Sequence, residues 1–352
     1  MKPLYGIAAI AATIATSALL IAQTTGELFT HTVKKSESIS LICIDYYGHY
    51  SKKLGQVIKT ENPDIKDINL IFPGQKIKLH KPLEAAGGTH PGTPVQPAIK
   101  DSVKVKNSTK TAVAAESPDS LFVKKMNIVQ GVVTCVVGTV NYKAANTGAF
   151  KPLTVNTILN PGDIIETSKN GRVEIIINRE SVVRMKENTR MNLEAFRDTL
   201  GSKDKTKLGF SNGTIWTKMK KFKDRLSRFE LELPTAVAGV HGTVYETTVS
   251  PDKSSEVKVF TGEVRVSGVP SQQTEGQGPG VNEVAAPHEI PGPHEVSLET
   301  WVKIITDMQK ITVAKDGKPS EPETFTQNPS SDWEKWNQDR DKRIAEMFME
   351  QQ

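Results

Sequence analysis

Residues 31–81 read HTVKKSESISLICIDYYGHYSKKLGQVIKTENPDIKDINLIFPGQKIKLHK, and this stretch decides how the rest of the chain is interpreted. Its apolar residues recur every three or four positions between Ile39 and Tyr46, which predicts a helix with one buried face. Gly48 can end this helix and Ser51 can cap a second one, because both residue types favour helix ends. Alternating residues before the first helix and after the second predict two strands. The predicted order is therefore strand, helix, helix, strand.

This order, with HTVKKSES at the front and NPDIKDINLIFPGQKIKL at the back, resembles a LysM domain over residues 30–81. The resemblance implies a small α+β domain that binds peptidoglycan or a related N-acetylglucosamine polymer. In such domains the sugar lies between the first strand–helix turn and the second helix–strand loop. The alternative is a small stable domain that has kept no ligand. Carried over position by position, the implied glycan-binding residues are Ser36, Glu37, Ser38, Asn62, Pro63, Asp64 and Ile65.

Composition limits the class of protein. The chain has 352 residues and a net charge of +5, which allows two domains with linkers but is too weak to indicate nucleic acid as a partner. Its two cysteines, Cys43 and Cys135, are too few for a disulfide framework. Pro and Gly cluster in two stretches, which predicts a disordered linker at 82–120 and a second linker at 269–296.

The N-terminus carries an apolar run from Ile7 to Ala22 behind Lys2. This pattern is typical of a signal peptide, and here it fits either a cleaved leader or an N-terminal membrane anchor over residues 1–26. We therefore expect an exported protein of the bacterial periplasm or cell envelope, with anchoring to the inner membrane left open. Membrane contact is expected only through this segment, if it is not cleaved.

From residue 127 to 268 the apolar period changes to two, as in Val173, Ile175 and Ile177. Short strands between frequent turns predict an all-β domain, and a sandwich, a barrel and a solenoid all remain open. The motifs NPGDIIETSKNGRVEIII and PTAVAGVHGTVYETTV, followed by VKVFTGEVRV, resemble a FecR domain. The resemblance implies a sandwich-like or solenoid-like module for protein interaction or scaffolding, without chemistry of its own.

Candidate catalytic and metal sites are weak. Gly209-Phe210-Ser211-Asn212-Gly213 matches the G-x-S-x-G nucleophile motif, but that motif needs a helix after the serine and the sequence continues as a strand. We predict a hairpin turn there. His288 and His294 lie in a Pro/Gly-rich stretch without zinc-helix spacing. The sequence predicts no enzyme activity, no catalytic residue, no metal and no cofactor.

The C-terminal region, residues 297–352, is predicted to be helical. Trp301, Ile304, Ile305 and Met308 share a helical face within 298–311, and Ser331 can open a second helix with a capping box. The run WNQDRD within that helix resembles a tail often seen after FecR domains. Its aromatic side chains are expected to pack on the β domain, and the alternative is a docking helix for another protein.

Together these features predict an exported cell-envelope binding protein. The LysM domain would bind peptidoglycan, and the FecR domain would present itself to an unknown envelope protein. The alternative is an envelope signal sensor or regulator related to FecR-type transmembrane signalling. The sequence disfavours this alternative, because we expect only a handful of residues before the apolar run to reach a cytoplasmic partner.

Overall fold

The structure is a computed structural model, and it describes residues 27–83, 121–122, 130–178, 181–195, 205–220, 228–240, 242–268, 301–328 and 330–349. The predicted leader, most of the first linker, the whole second linker and both linker histidines lie outside these residues. Among the described helices, none is long and apolar enough to cross a membrane.

Residues 27–83 form what we call the N-terminal module. Two strands enclose two helices in sequence: β1 (Leu28–Thr32), α1 (Ile39–Tyr47), α2 (Lys52–Glu61) and β2 (Lys76–His80), with β1 and β2 antiparallel. The side chain of Ser38 caps α1 and that of Ser51 caps α2, each accepting a bond from a backbone N–H three residues later. Gly48 ends α1 with a φ of 76°, which a glycine adopts without strain. This element order is the one that the sequence predicts, while the LysM family itself stays a prediction.

The following strands of the chain make up the β domain. In chain order they are β3 (Gly131–Val137), β4 (Val140–Lys143), β5 (Lys151–Pro152), β6 (Ile158–Leu159), β7 (Ile164–Thr167), β8 (Arg172–Ile177), β9 (Ser181–Met185), β10 (Arg190–Ala195), β11 (Lys205–Met219), β12 (Arg228–Glu232), β13 (Ala236–Val240), β14 (Val244–Val249), β15 (Ser255–Thr261) and β16 (Val264–Gly268).

The C-terminal region adds strands where the sequence predicted a helix. The described part of the predicted helix 298–311, residues 301–311, is not helical: β17 (Val302–Ile305) pairs with β16, and β18 (Gln309–Val313) pairs with β15 and with β19 (Glu323–Thr324). The helical prediction failed because the segment is rich in β-branched residues and extends the sheet, so tertiary pairing outweighs a short helical period. One described helix, α3 (Asp332–Met349), follows, so the region is only partly helical.

Hydrogen bonding divides the described strands of the β domain into two sets. The first runs β6–β3–β8–β9–β11–β14–β15–β18–β19, and the second runs β5–β4–β7–β10–β11–β12–β13–β16–β17. Every described pairing is antiparallel except that between β11 and β12. Apolar side chains from both sets belong to one core, for example Val183 and Val257 with Leu193 and Leu231. The sheet therefore curls over on itself around a shared interior.

The strand β11 joins the two sets. Its first part pairs with β10 and β12, and from Gly213 onward it pairs with β9 and β14. Gly213 has a φ of 98°, which lets the strand change direction without ending. The predicted hairpin turn at Asn212-Gly213 is thus wrong: the same turn-forming residues produce a bend within one continuous strand.

The N-terminal module packs directly on the β domain. The N–H of Ser40 in α1 donates to the side-chain oxygen of Asn156, at 2.7 Å, and the amide of Gln130 donates to the carbonyl of Tyr50, at 2.6 Å. Val132 and Ile176 of the β domain share a buried cluster with the helices of the module. The two parts are therefore in contact, where the sequence alone had suggested separate domains on a tether.

Candidate functional site

The first predicted sugar loop is in contact with the C-terminal helix. Ser36 is half-buried with a left-handed backbone, and its carbonyl accepts a bond from Nη1 of Arg340 in α3, at 2.6 Å. The side chain of Glu37 is fully buried between Nε2 of His31, at 2.8 Å, and Nη2 of Arg343, at 2.5 Å. The hydroxyl of Ser38 caps α1 by accepting a bond from the N–H of Leu41. The polar groups of this loop are thus bonded inside the protein.

The second predicted sugar loop serves mainly to hold its own module together. Asn62 donates to the carbonyls of Ile58 and Lys78 and accepts from the N–H of Lys78, so it fastens the end of α2 to β2. Ile65 is buried in the core, while Pro63 and Asp64 are exposed. Of the four residues predicted here, only Pro63 and Asp64 therefore offer their side chains to solvent.

The helix α3 spans both parts of the protein. Its described inward face contains Trp333, Asn337, Arg340 and Ile344, which follow one another at three- and four-residue steps and are all buried. The expectation that its aromatic residues pack on the β domain is met at Trp333, whose indole N–H donates to Glu246 of β14, at 2.8 Å. The helix is anchored to the β domain at its first turn and reaches the N-terminal module further along.

A buried cluster of charges lies beneath the middle of α3. Glu174 of β8 is 0% exposed and accepts from Nε of Arg184 on β9, at 2.8 Å, and from Nε of Arg340, at 3.1 Å. A second oxygen of the same carboxylate accepts from the hydroxyl of Thr134, at 2.7 Å. Arg184 also donates to the backbone carbonyl of Asn337, at 3.0 Å. This carboxylate is therefore held by one arginine from the β domain and one from α3.

Aromatic rings cover Arg184 of this cluster. The guanidinium of Arg184 lies 4.4 Å from the ring centre of Trp216 and 5.8 Å from that of Trp336. Trp336 in turn stacks on Trp333, with ring centres 5.4 Å apart. Such cation–π contacts are stronger where water is excluded. Trp216 of β11 and Trp336 of α3 thus both pack against the guanidinium of Arg184.

These surroundings change the acidity of both glutamates. Burial by itself would raise the pKa of Glu174, but the charges of Arg340 and Arg184 lower it to about 2. Burial likewise opposes the ionised form of Glu37, yet its bonds to His31 and the Lys34 N–H, with the charge of Arg343, lower its pKa. Both carboxylates are therefore ionised at neutral pH and attract the arginines of α3.

Acid should loosen this junction. Because the pKa of Glu174 is depressed from an ordinary 4.5 to about 2 in the folded protein, its contribution to stability is present above 4.5 and is lost as the pH falls toward 2. A shift of this size corresponds to about 3 kcal/mol. Glu246 has a raised pKa, because burial outweighs its bond to Trp333. On acidification Glu246 is therefore protonated above pH 4.5, so its change in stability does not cancel the loss from Glu174 at lower pH.

The measurement is urea unfolding of the wild type and of Glu174→Gln across this range. The free energy of unfolding of the wild type should exceed that of the variant at neutral pH. The gap should narrow by about 3 kcal/mol toward pH 2, because only the wild type loses a charge at this position. An unchanged gap would show that Glu174 is not ionised in this cluster.

The serine of the G-x-S-x-G motif lies within the continuous strand β11, and its hydroxyl bonds are to oxygens of Arg190 and Asn212. Ser211 lines a pocket of about 380 Å³, and its hydroxyl lies 3.5 Å from the carbonyl of Arg190 and 3.5 Å from the side-chain oxygen of Asn212. Neither oxygen can act as a general base. The histidines that the structure describes all lie in the N-terminal module, and no metal-binding group of three or more side chains occurs among the described residues.

Sequence reasoning missed the charged cluster altogether. Glu174 and Arg184 each interrupt a run of apolar residues on a strand, in RVEIII and in SVVRM. Charged residues are rarely buried without a partner. Two opposite charges inside neighbouring apolar strands were therefore the available signal, although nothing local pointed to Arg340 as the third member.

Comparison with known proteins identifies a central part of the β domain. Residues 163–265 match the model of the family described as FecR protein, so this part of the chain is a FecR domain. The match does not extend to residues 30–81, whose likeness to LysM domains stays a prediction. No curated protein matches the chain.

Solved structures give a more distant likeness. Two crystal structures of a proposed anti-sigma factor from Parabacteroides distasonis align with 14% sequence identity and a TM-score of 0.31. Each alignment covers 46% of this chain and 59% of the other, so the chain spans little more than half of that protein. A likeness at this level carries no argument about fold or partners.

Proposed function

We propose that the protein is a FecR-type regulator, in which the state of the N-terminal module is passed to the FecR domain through α3. This is the signalling alternative rather than the glycan-holding adaptor that the sequence favoured. The FecR match supports it, because resemblance to FecR implies a role in envelope signalling. Glycan binding by the N-terminal module is retained as the kind of signal that such a regulator would receive.

One side chain carries the proposal. The guanidinium of Arg340 donates to the carbonyl of Ser36 in the predicted sugar loop and to the carboxylate of Glu174 inside the FecR domain. A displacement of that loop therefore alters a bond on which the buried cluster depends. Coupling between two sites requires such a contiguous physical connection between elements that can change state together.

The direct contact between the two parts supports the same proposal. An adaptor on a flexible tether would keep its two domains independent, so that each could bind its own partner. Here the side-chain amide of Asn156 bridges from the β domain to the carbonyl of Ile68, at 3.1 Å, and to the side chain of Asn69, at 3.0 Å. Independent movement would break these bonds, which suits a regulator better than a tether.

Hydrogen exchange on the full chain tests the coupling without any ligand. Glu37→Gln removes the charge that Arg343 pairs with, and should speed exchange by at least about tenfold in α3 and in the neighbouring strands β8 and β9. The matched control is Glu61→Gln, which changes a glutamate of the same module at the end of α2, where its partner is His80.

The control should affect only the N-terminal module. Exchange in β8 and β9 that is the same in Glu37→Gln as in the wild type would overturn the proposal. The comparison is informative because both variants replace one carboxylate by an amide of the same shape.

A further inference from the structure

The helix α3 uses the polar groups that the first sugar loop would offer to a ligand. Arg340 occupies the carbonyl of Ser36 at 2.6 Å, and Arg343 pairs with Glu37 at 2.5 Å and with Asp45 of α1 at 3.1 Å. A carbonyl that already accepts a charge-assisted bond is a poor acceptor for a second donor arriving from the same side. A ligand that needs these groups must therefore compete with α3.

The contact that holds α3 in place is mainly polar. Of the apolar side chains described on α3, only Trp333 and Ile344 are buried, and the rest of its inward face is polar or charged. Buried ion pairs contribute little net stability, because removing charges from water costs much of what their attraction gains. Over the part of α3 whose side chains are described, residues 332–345, no continuous apolar face holds the helix in place.

The groups left behind by α3 would keep partners of their own. Glu174 retains the ion pair with Arg184 and the bond from Thr134. Glu37 retains His31 and the backbone N–H of Lys34, which donates to it at 2.7 Å. An open state therefore leaves neither of these two carboxylates without a partner, which lowers the penalty against leaving.

The connection to α3 permits this movement. The residues just before the helix, from Thr326 to Asn328, are exposed, and the strand β19 ends ahead of them at Thr324. The helix can then leave as a unit while the strands keep their pairings. Because it remains attached, its high effective concentration returns it to its seat when no competitor is present.

We propose that α3 is a displaceable latch, and that N-acetylglucosamine polymer binds the N-terminal module only in molecules whose α3 has left the first sugar loop. The inference rests on the proposed function, since it names the event that α3 would transmit. Binding of polymer and closure of α3 exclude one another, so each opposes the other by the same factor.

The first test is calorimetric titration of the full chain with a soluble N-acetylglucosamine hexamer. Arg343→Ala should bind at least about tenfold more tightly than the wild type, because a larger fraction of molecules is open before binding. Lys342→Ala is the matched control, since that side chain is 79% exposed and its described ion pair is with Asp339 on α3 itself. The control should bind as the wild type does.

Equal affinity of Arg343→Ala and the wild type, or no binding by either, would overturn the latch. A second measurement on the wild type avoids any folding defect of the variant. Saturating hexamer should speed hydrogen exchange of the backbone amides of α3 by at least about tenfold, because the bound state is the open state. Slower or unchanged exchange there would contradict competition even if the hexamer binds.

These results are separable from those on the proposed function. The Glu37→Gln exchange experiment uses no ligand and asks only whether the two parts are coupled. If coupling holds while the hexamer neither binds nor releases α3, the latch is wrong and the regulator stands. If coupling fails, the regulator is wrong whatever the hexamer does.

Discussion

Glu174→Ala should destabilise the protein more than any other single side-chain change at the junction, by about 3–5 kcal/mol. The substitution leaves Arg184 and Arg340 buried at 0% and 3% exposure with their shared carboxylate gone. Two like charges would then face each other in a site that excludes water. The free energy of unfolding from urea titration at neutral pH measures the effect. A change in tryptophan fluorescence at a lower urea concentration than global unfolding would report the release of α3.

The control for this prediction is Glu187→Ala. Glu187 pairs with Arg172 at 3.7 Å, and its side chain is 30% exposed, so its loss should cost less than about 1 kcal/mol. A cost for Glu174→Ala as small as that of the control would mean that the arginines do not depend on this carboxylate. The buried cluster would then not connect α3 to the FecR domain.

Gly213→Ala should be the second large effect, with a cost of about 3 kcal/mol or more. The φ of 98° is unfavourable for any residue with a side chain, and an added Cβ would lie 2.3 Å from Oγ1 and 2.5 Å from Cα of Thr189. One of these atoms belongs to the backbone, so a rotamer change cannot relieve the clash. Thermal or urea unfolding of the full chain measures the loss.

Two glycines separate the causes of this effect. Gly74 has a comparable φ of 86° but open space around it, so Gly74→Ala should show the backbone strain alone, about 1–2 kcal/mol. Gly148 has open space and no such φ, and its replacement should be nearly neutral. If Gly213→Ala cost no more than Gly74→Ala, the close approach of Thr189 would be unimportant to the bend in β11.

The bend in β11 helps to position the charged cluster under α3. The bend places the second half of β11 beside β9, which carries Arg184 toward α3. The FecR domain therefore presents a preformed charged seat to its own C-terminal helix. Arg340 and Asp341 of the run WNQDRD both contact the β domain.

Local sequence patterns predicted much of the fold because they record local physics. The helix caps at Ser38 and Ser51 and the period of two around Ile175 each depend on residues a few positions apart. A cap is satisfied within one turn, and a strand shows its buried face by simple alternation. For the same reason the continuation of β11 past Ser211 was enough to argue against a nucleophile elbow.

Patterns of this kind misled where two structures share one local signature. The spacing of Trp301 and Ile304 fits a helix, but the segment becomes strands because β15 and β16 offer free edges for pairing. Asn212-Gly213 is typical of a hairpin, but a glycine with positive φ serves a bend equally well. Helix and strand, or hairpin and bend, differ here only in which strands are available for pairing. That availability is set by the folded chain.

By itself, the sequence determined the order and the caps of the two helices in the N-terminal module, and that the middle of the chain is a FecR-like β domain. Tertiary structure alone decided that the N-terminal module rests on that domain and that α3 contacts the loop at Ser36 and Glu37. The physical reason is separation along the chain: Glu174 and Arg340 are 166 residues apart, and Ser36 and Arg340 are 304 apart. No periodicity records such pairs, because their attraction exists only once folding has excluded water from between them.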